Sequence, residues 1–274
     1  MSEQDEILQQ DSAKDFVAPT TGQLEIEKPT ERTRKSEIQA NIDFWKDLAI
    51  EGIEINEDEI RAAIEALPEV EGFDWLIAIP KGVKTSELWK KTNGIGYSTS
   101  SERNEFDNHT FFAGDELDSL ESPRQSQETF AVAARYSQEP DEDGLDGLDK
   151  SVHYGPKAKT AQNWRRNGKT YMTLLEATVA ELRWHAQNGT HLSEEKDTVC
   201  VDSVHATWLG FNSTHYKVPT LSYSKGEKAI SLGSSDIDII SSRSGVREVV
   251  TKDTEVDENG HILPKTPTQP PTYR

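Results

Sequence analysis

Four of the seven histidines, His185, His191, His205 and His215, fall within 31 residues and share that stretch with Cys200 and Asp202. Imidazole, thiolate and carboxylate are the ligands that zinc and other transition metals take. His191, His205, His215 and Cys200 are therefore the candidate metal ligands. No HxH or HxxxH pair occurs among them, and His185 lies on a different helical face from Val179 and Leu182. The plainer alternative is a set of unrelated surface and core histidines. Cys200 with His191 or His205 also has the composition of a thiol nucleophile and its base. Such a thiol needs partial exposure and positive surroundings. Val199 and Val201 instead predict a buried strand around Cys200, where a thiol behaves as a small apolar group.

Two charged stretches carry the other candidates. Residues 102–149 hold fourteen acidic and three basic residues, and 150–169 hold six basic residues and no acid. Within the acidic stretch, Asp141, Asp143, Asp146 and Asp149 alternate with Gly144 and Gly147, an oxygen-rich loop of the kind that binds calcium weakly. The glycine and glutamate of an EF-hand are out of place, so a solvated acidic loop is the simpler reading. In the basic stretch, Trp164, Arg165 and Arg166 are candidate partner-binding residues. With Tyr154 they invite stacking on nucleic-acid bases, but the acidic neighbour or a protein partner is the closer match for their charge.

The elements that must position these residues can be read from periodicity and punctuation. Thr173 and Glu176 have capping-box spacing. Leu175, Val179, Leu182 and Ala186 predict the buried face of a helix that stops at Asn188-Gly189. Glu176, Glu181 and Arg183 are expected to point to water. Upstream, Ile38, Ile42, Trp45 and Leu48 predict a helix capped by Ser36 and stopped by Gly52. Asn56 should cap a second helix striped by Ile60, Ala63, Ile64 and Leu67. Trp75–Ile79 reads as a central strand, Thr85–Lys91 as a short capped helix, and Phe130–Ala134 as the one strand of the acidic stretch. Further strands are expected at Thr198–Val201, Ala206–Leu209, Val218–Tyr223, Ala229–Leu232, Ile237–Ile240 and Val246–Val250. The fold class is α+β. One mostly antiparallel sheet of five to seven strands should carry the long helix on its face, with the N-terminal helices alongside.

Four motifs occur in order along the chain: Gly72-Phe-Asp-Trp-Leu-Ile-Ala-Ile-Pro-Lys-Gly82, Phe130-Ala-Val-Ala-Ala-Arg-Tyr-Ser-Gln-Glu-Pro-Asp-Glu-Asp143, Thr173-Leu-Leu-Glu through Leu192, and Thr198-Val-Cys200. Together they resemble a family of hypothetical proteins from uncultured bacteria with GFDxLIxxPxG, YAVWxRDxxEADEE, TLLExxxxELxYxxxTGxHLD and TLC motifs. Phe44-Trp45, Val218-Pro219 and Ser242-Arg243 are also similar, so the likeness spans about residues 44–247. Ala133 and Tyr136 stand where the family has Trp and Asp. The family has no assigned activity, and the resemblance implies one folded core and no catalytic residue.

Composition sets the outer limits. Of the 274 residues 34% are hydrophobic, and the net charge of -19 repels nucleic-acid phosphate. A single cysteine leaves no internal disulfide. No apolar run reaches a membrane-span length of about 18 residues, and residues 1–11 lack a signal-peptide pattern. A cytoplasmic protein is expected, without membrane contact or an obligatory cofactor. Residues 1–35 and 252–274 read as disordered tails around one domain at 36–251. The leading functional expectation is a non-enzymatic interaction protein that presents its acidic and basic loops to a protein partner. The competing class is a metal-dependent hydrolase built on the histidine-rich β half, which elemental analysis would distinguish.

Overall fold

The first helix, α1 (Arg34–Leu48), begins two residues before the expected cap. Thr33 caps it, and Ser36 at the third helical position completes the reciprocal pair: the Ser36 N–H donates to the Thr33 hydroxyl and the Thr33 N–H to the Ser36 hydroxyl. The helix closes on Ala49, which takes a left-handed conformation with φ 45°, so Gly52 is not its stop. Asn56 caps α2 (Glu57–Glu65) as expected, its side-chain oxygen accepting from the Asp58 and Glu59 N–H groups.

The elements that follow are β1 (Trp75–Ile79), α3 (Thr85–Lys91), β2 (Tyr97–Ser98), β3 (Phe112–Ala113), β4 (Phe130–Ala134) and α4 (Leu174–Asn188). After these come β5 (Asp197–Val199), β6 (His205–Trp208), β7 (Thr214–Ser224), β8 (Ala229–Asp236), β9 (Ser244–Gly245) and β10 (Val249–Val250). The computed structural model describes residues 32–98, 112–113, 116–140, 168–208, 214–236 and 244–263, except the side chains of 98, 113, 205–208, 214–216 and 236. Thr33 to Arg274 group into one compact unit, a single α+β domain.

The strands divide among three sheets rather than lining up in one. Three form an antiparallel sheet in the order β1-β4-β10, two form the short parallel pair β2-β3, and five form a mixed sheet. In the mixed sheet β7 pairs antiparallel with β5, β6 and β8, while β5 pairs parallel with β9. Of the run expected as one strand at Val246–Val250, only Val249–Val250 is strand, as β10 of the antiparallel sheet; β9 of the mixed sheet ends just before it, and residues 244–250 are all buried. The expected strand at 237–240 lies outside the described residues, as do residues 1–31 and 264–274 of the two tails.

β1 is an outer strand, and β4 takes the central position. Every residue of β1 is nevertheless buried, because side chains replace the missing neighbour strand. Asn41 donates its amide to the Leu76 carbonyl at 2.8 Å and accepts the Ala78 N–H at 2.8 Å, as a strand backbone would. Trp45 donates its indole N–H to the Ala78 carbonyl, Glu37 accepts the Leu76 N–H, and Arg183 donates to the Leu76 carbonyl. A bare strand edge is prone to pairing with other chains, and buried backbone groups left unpaired would each cost about 1–3 kcal/mol.

At α3 the cap comes from a distant residue. Lys84 makes no side-chain cap bond, and the Asp118 carboxylate accepts from both the Ser86 N–H and the Ser86 hydroxyl. Residues 252–263, expected within the C-terminal tail, are ordered. Asp257 accepts the N–H groups of Asn259 and His261, Gly260 turns with φ 78°, and Leu263 N–H returns to the Glu255 carbonyl. The DENG run is a turn made by Asx chemistry, which a composition-based reading takes for disorder.

Candidate functional site at the end of helix α4

Helix α4 has its expected ends. Thr173 accepts the Glu176 N–H, Glu176 takes the Thr173 N–H at 2.8 Å, and Gly189 closes the helix with φ 67°. Its faces differ from the periodic reading. Leu175 and Val179 are buried, but Leu182 is only half-buried and Ala186 is exposed. Glu176, Glu181 and Arg183, expected in water, are buried at 0%, 2% and 1% exposure. The cause is that α4 packs against α3 and β1 while Ala177 and Glu181 face Leu221 and Ile230 of the mixed sheet. A helix covered from two directions has no solvent face over its first turns, so its charged groups must find partners inside.

Those partners form separate clusters. Arg124 makes a two-pronged contact with Glu176, 2.9 Å on one arm, and also donates to the Tyr171 carbonyl. Asp202 lies 3.6 Å from the same guanidinium and accepts the Tyr171 N–H. Burial alone would lower the Arg124 guanidinium, but Glu176 and Asp202 outweigh it and hold it above its ordinary value. Arg183 meets Glu37 at 3.1 Å and Asn41 at 3.2 Å, which joins α4 to the closed edge of β1.

Glu181 serves the histidines. Its carboxylate accepts the Leu192 N–H at 2.8 Å and lies 2.6 Å from His191 Nδ1. That hydrogen bond raises the His191 pKa; burial opposes the shift, and the charges of Glu181 and Glu194 add to it. The His191 ring stacks on His185 at 4.5 Å with 12° between planes, and on Tyr223 at 5.1 Å with 22°. His185 Nδ1 lies 3.3 Å from the Thr190 carbonyl. Imidazole lone pairs lie in the ring plane. Two nearly parallel rings 4.5 Å apart therefore cannot bring nitrogens to one ion at bonding distance of about 2 Å.

Cys200 is fully buried in the core, and burial above all pushes its thiol well up, so it is not activated as a nucleophile. His205 and His215 stand on neighbouring strands, where His205 is paired with Lys217 and Thr207 with His215; their side chains lie outside those described. Trp164, Arg165, Arg166 and the Asp141–Asp149 loop also lie outside the described residues. Among the described residues, no three His, Cys, Asp or Glu side chains gather as metal ligands. Among them, too, no helix is long and apolar enough to cross a membrane.

Sequence reasoning missed Glu181, Arg124 and Arg247 as organising residues. Glu181 and His191 are ten apart across a helix end and a turn, a spacing that no periodic pattern picks out. Arg247 donates to the Ser137 and Gln138 carbonyls more than a hundred residues away. Protein-family models, curated proteins and solved structures give no match to this chain. Its class is therefore stated by its fold, a single α+β domain.

Proposed function

We propose that this chain is a non-enzymatic interaction protein that binds a macromolecular partner through the charged segment 141–167. In sequence that segment runs from five acidic residues at 141–149 to five basic residues at 150–166. The observation that carries the reading is how its two stems are held. Arg247 donates through its side chain to Ser137 and Gln138 on the outgoing stem, and its carbonyl accepts the Met172 N–H on the returning side. Glu248, buried at 5% exposure, takes Arg135 at 3.4 Å and Lys169 at 3.2 Å, one from each stem. Two consecutive residues thus tie the stretches before and after the charged segment together, which offsets the entropy cost of bringing the ends of so long a segment close.

In this reading Trp164, Arg165 and Arg166 supply the aromatic and cationic contacts and a protein with an acidic surface is the partner, since net charge disfavours nucleic acid. The test is affinity capture from the source cell at graded salt, with an Arg165→Glu/Arg166→Glu double variant alongside. Recovery of one defined protein that falls with salt and is lost in the variant, at unchanged melting temperature, is expected. Recovery that is insensitive to salt and equal in the variant would overturn the proposal.

A further inference from the structure

Beyond partner binding, we propose that the turn from Gly189 to Lys196 is a proton-responsive strap, latched to α4 by Glu181 and His191 and fastened on its other side to Gln138 and Glu139. The inside of the strap is anchored by the buried Glu181 carboxylate, which holds both the His191 ring and the Leu192 N–H. The outside is fastened by four contacts to the stem. Gln138 donates its amide to the His191 carbonyl at 3.0 Å, and the Ser193 N–H donates to the Gln138 carbonyl at 3.0 Å. Glu139 accepts the N–H groups of Glu195 and Lys196 at 3.1 and 2.9 Å. A change in how firmly His191 is held therefore reaches the stem at Gln138 and Glu139 through adjacent bonded groups.

His191 is the titrating part of that latch. The groups facing it are Glu181 and His185 from α4, Glu194 from the strap itself, whose carboxylate accepts the His191 N–H, and Tyr223 from β7. Neutral His191 still donates from Nδ1, but the imidazolium makes a charge-assisted bond of roughly twice the strength. Protonation thus tightens the strap and deprotonation loosens it without undocking it. Because the Glu181 hydrogen bond moves the transition above the ordinary histidine value, the latch holds its proton to a higher pH than a free imidazole would.

The experiment is amide hydrogen exchange by NMR on the full chain from pH 6 to 9, corrected for intrinsic exchange, with a ¹³C titration of the His191 ring. In the native protein, protection of the Leu192, Ser193, Glu195 and Lys196 amides should fall several-fold as pH rises through the His191 transition. His191→Gln should flatten that dependence, and so should Glu181→Gln. His185→Gln should retain it. An ordinary or lowered His191 transition in the native protein would overturn the proposal whether or not the variants fold. So would equal pH dependence in His191→Gln, or its loss in His185→Gln alone.

Discussion

Helix α4 carries two buried carboxylates little more than one turn apart, and they teach different lessons. Glu176 and Glu181 are alike in residue type, helix and burial. Glu176 faces Arg124, a guanidinium that stays charged at any pH the fold survives. Glu181 faces His191, a group that can lose its charge as pH rises, and the hydrogen bond from Glu181 moves that loss above the ordinary histidine value. The first site is a fixed strut between the Arg124 segment and the start of α4. The second is a strut whose strength depends on protons. Which behaviour a buried acid shows is decided by its partner, and the partner in each case arrives from a distant or aperiodic position in the chain.

The largest effect should come from removing the permanent partner. Arg124→Ala leaves Glu176 and Asp202 buried without their cation and takes a donor from the Tyr171 carbonyl. Breaking one side of a buried pair costs about 3–5 kcal/mol. Against a total stability of roughly 5–15 kcal/mol, the melting temperature should drop steeply, if the variant folds at all. A melting temperature within a degree or two of the native protein would mean that the Glu176 site is not a strut.

Next in size is the closed edge of β1, which tests whether fixed polar contacts elsewhere behave like the Arg124 site. Asn41→Leu keeps the volume but abandons the Leu76 carbonyl and the Ala78 N–H. With about 1–3 kcal/mol for each buried backbone group left unpaired, denaturant unfolding should show a loss of about 2–4 kcal/mol. Relief by Arg183, which already reaches the Leu76 carbonyl, sets the lower end.

His191→Gln should cost less than either, about 1–2 kcal/mol, since hydrogen bonds to charged groups are worth about 1.5–3 kcal/mol and the strap keeps its other fastenings. Its sign with pH separates the two carboxylates. A raised histidine pKa means that the folded state binds the proton more tightly than the unfolded chain does. The stabilisation is complete below the unfolded value of about 6.5, and it is lost as pH rises through the higher folded value. The stability difference between native and variant proteins should therefore be larger at pH 6 than at pH 9. The corresponding difference for Arg124→Ala should hold steady from pH 7 to 9. If both differences track pH alike, the contrast between the two sites fails.

The same contrasts separate what near neighbours in the chain disclose from what only the fold brings together. Local signals are readable: the Thr173–Glu176 box, the Gly189 stop, the Asn56 cap and the apolar run of β1 all stand where the pattern puts them. Each depends on residues within a few positions. The burial of Glu181 and Arg183 is not readable, because helical periodicity assigns charge to water unless a second layer covers the helix. Nor is the split of strands into separate sheets, since alternation identifies a strand but not its partner. Of the candidate site, His185 and His191 do meet, as a stack and not as ligands. The contact that gives His191 its properties needs Glu181, which the periodic pattern places outside.

The smallest effect belongs to the cap itself. Thr173→Ala removes the hydroxyl that accepts the Glu176 N–H, but leaves the Glu176 carboxylate with both Arg124 arms and the Thr173 N–H. N-cap losses run at about 1 kcal/mol. Only that one N–H loses its acceptor, so the loss should stay at or below about 1 kcal/mol, within the usual range of about 0.5–2 kcal/mol. Thr173→Ser restores the hydroxyl and lacks only a methyl group. Chemical denaturation should therefore rank native protein, Thr173→Ser and Thr173→Ala in falling order, with no pH dependence between 6 and 9. If Thr173→Ala matches Arg124→Ala in cost, the cap and the ion pair act as one unit, and the division of α4 into a fixed start and a proton-sensitive end must be redrawn with Thr173 inside the strut.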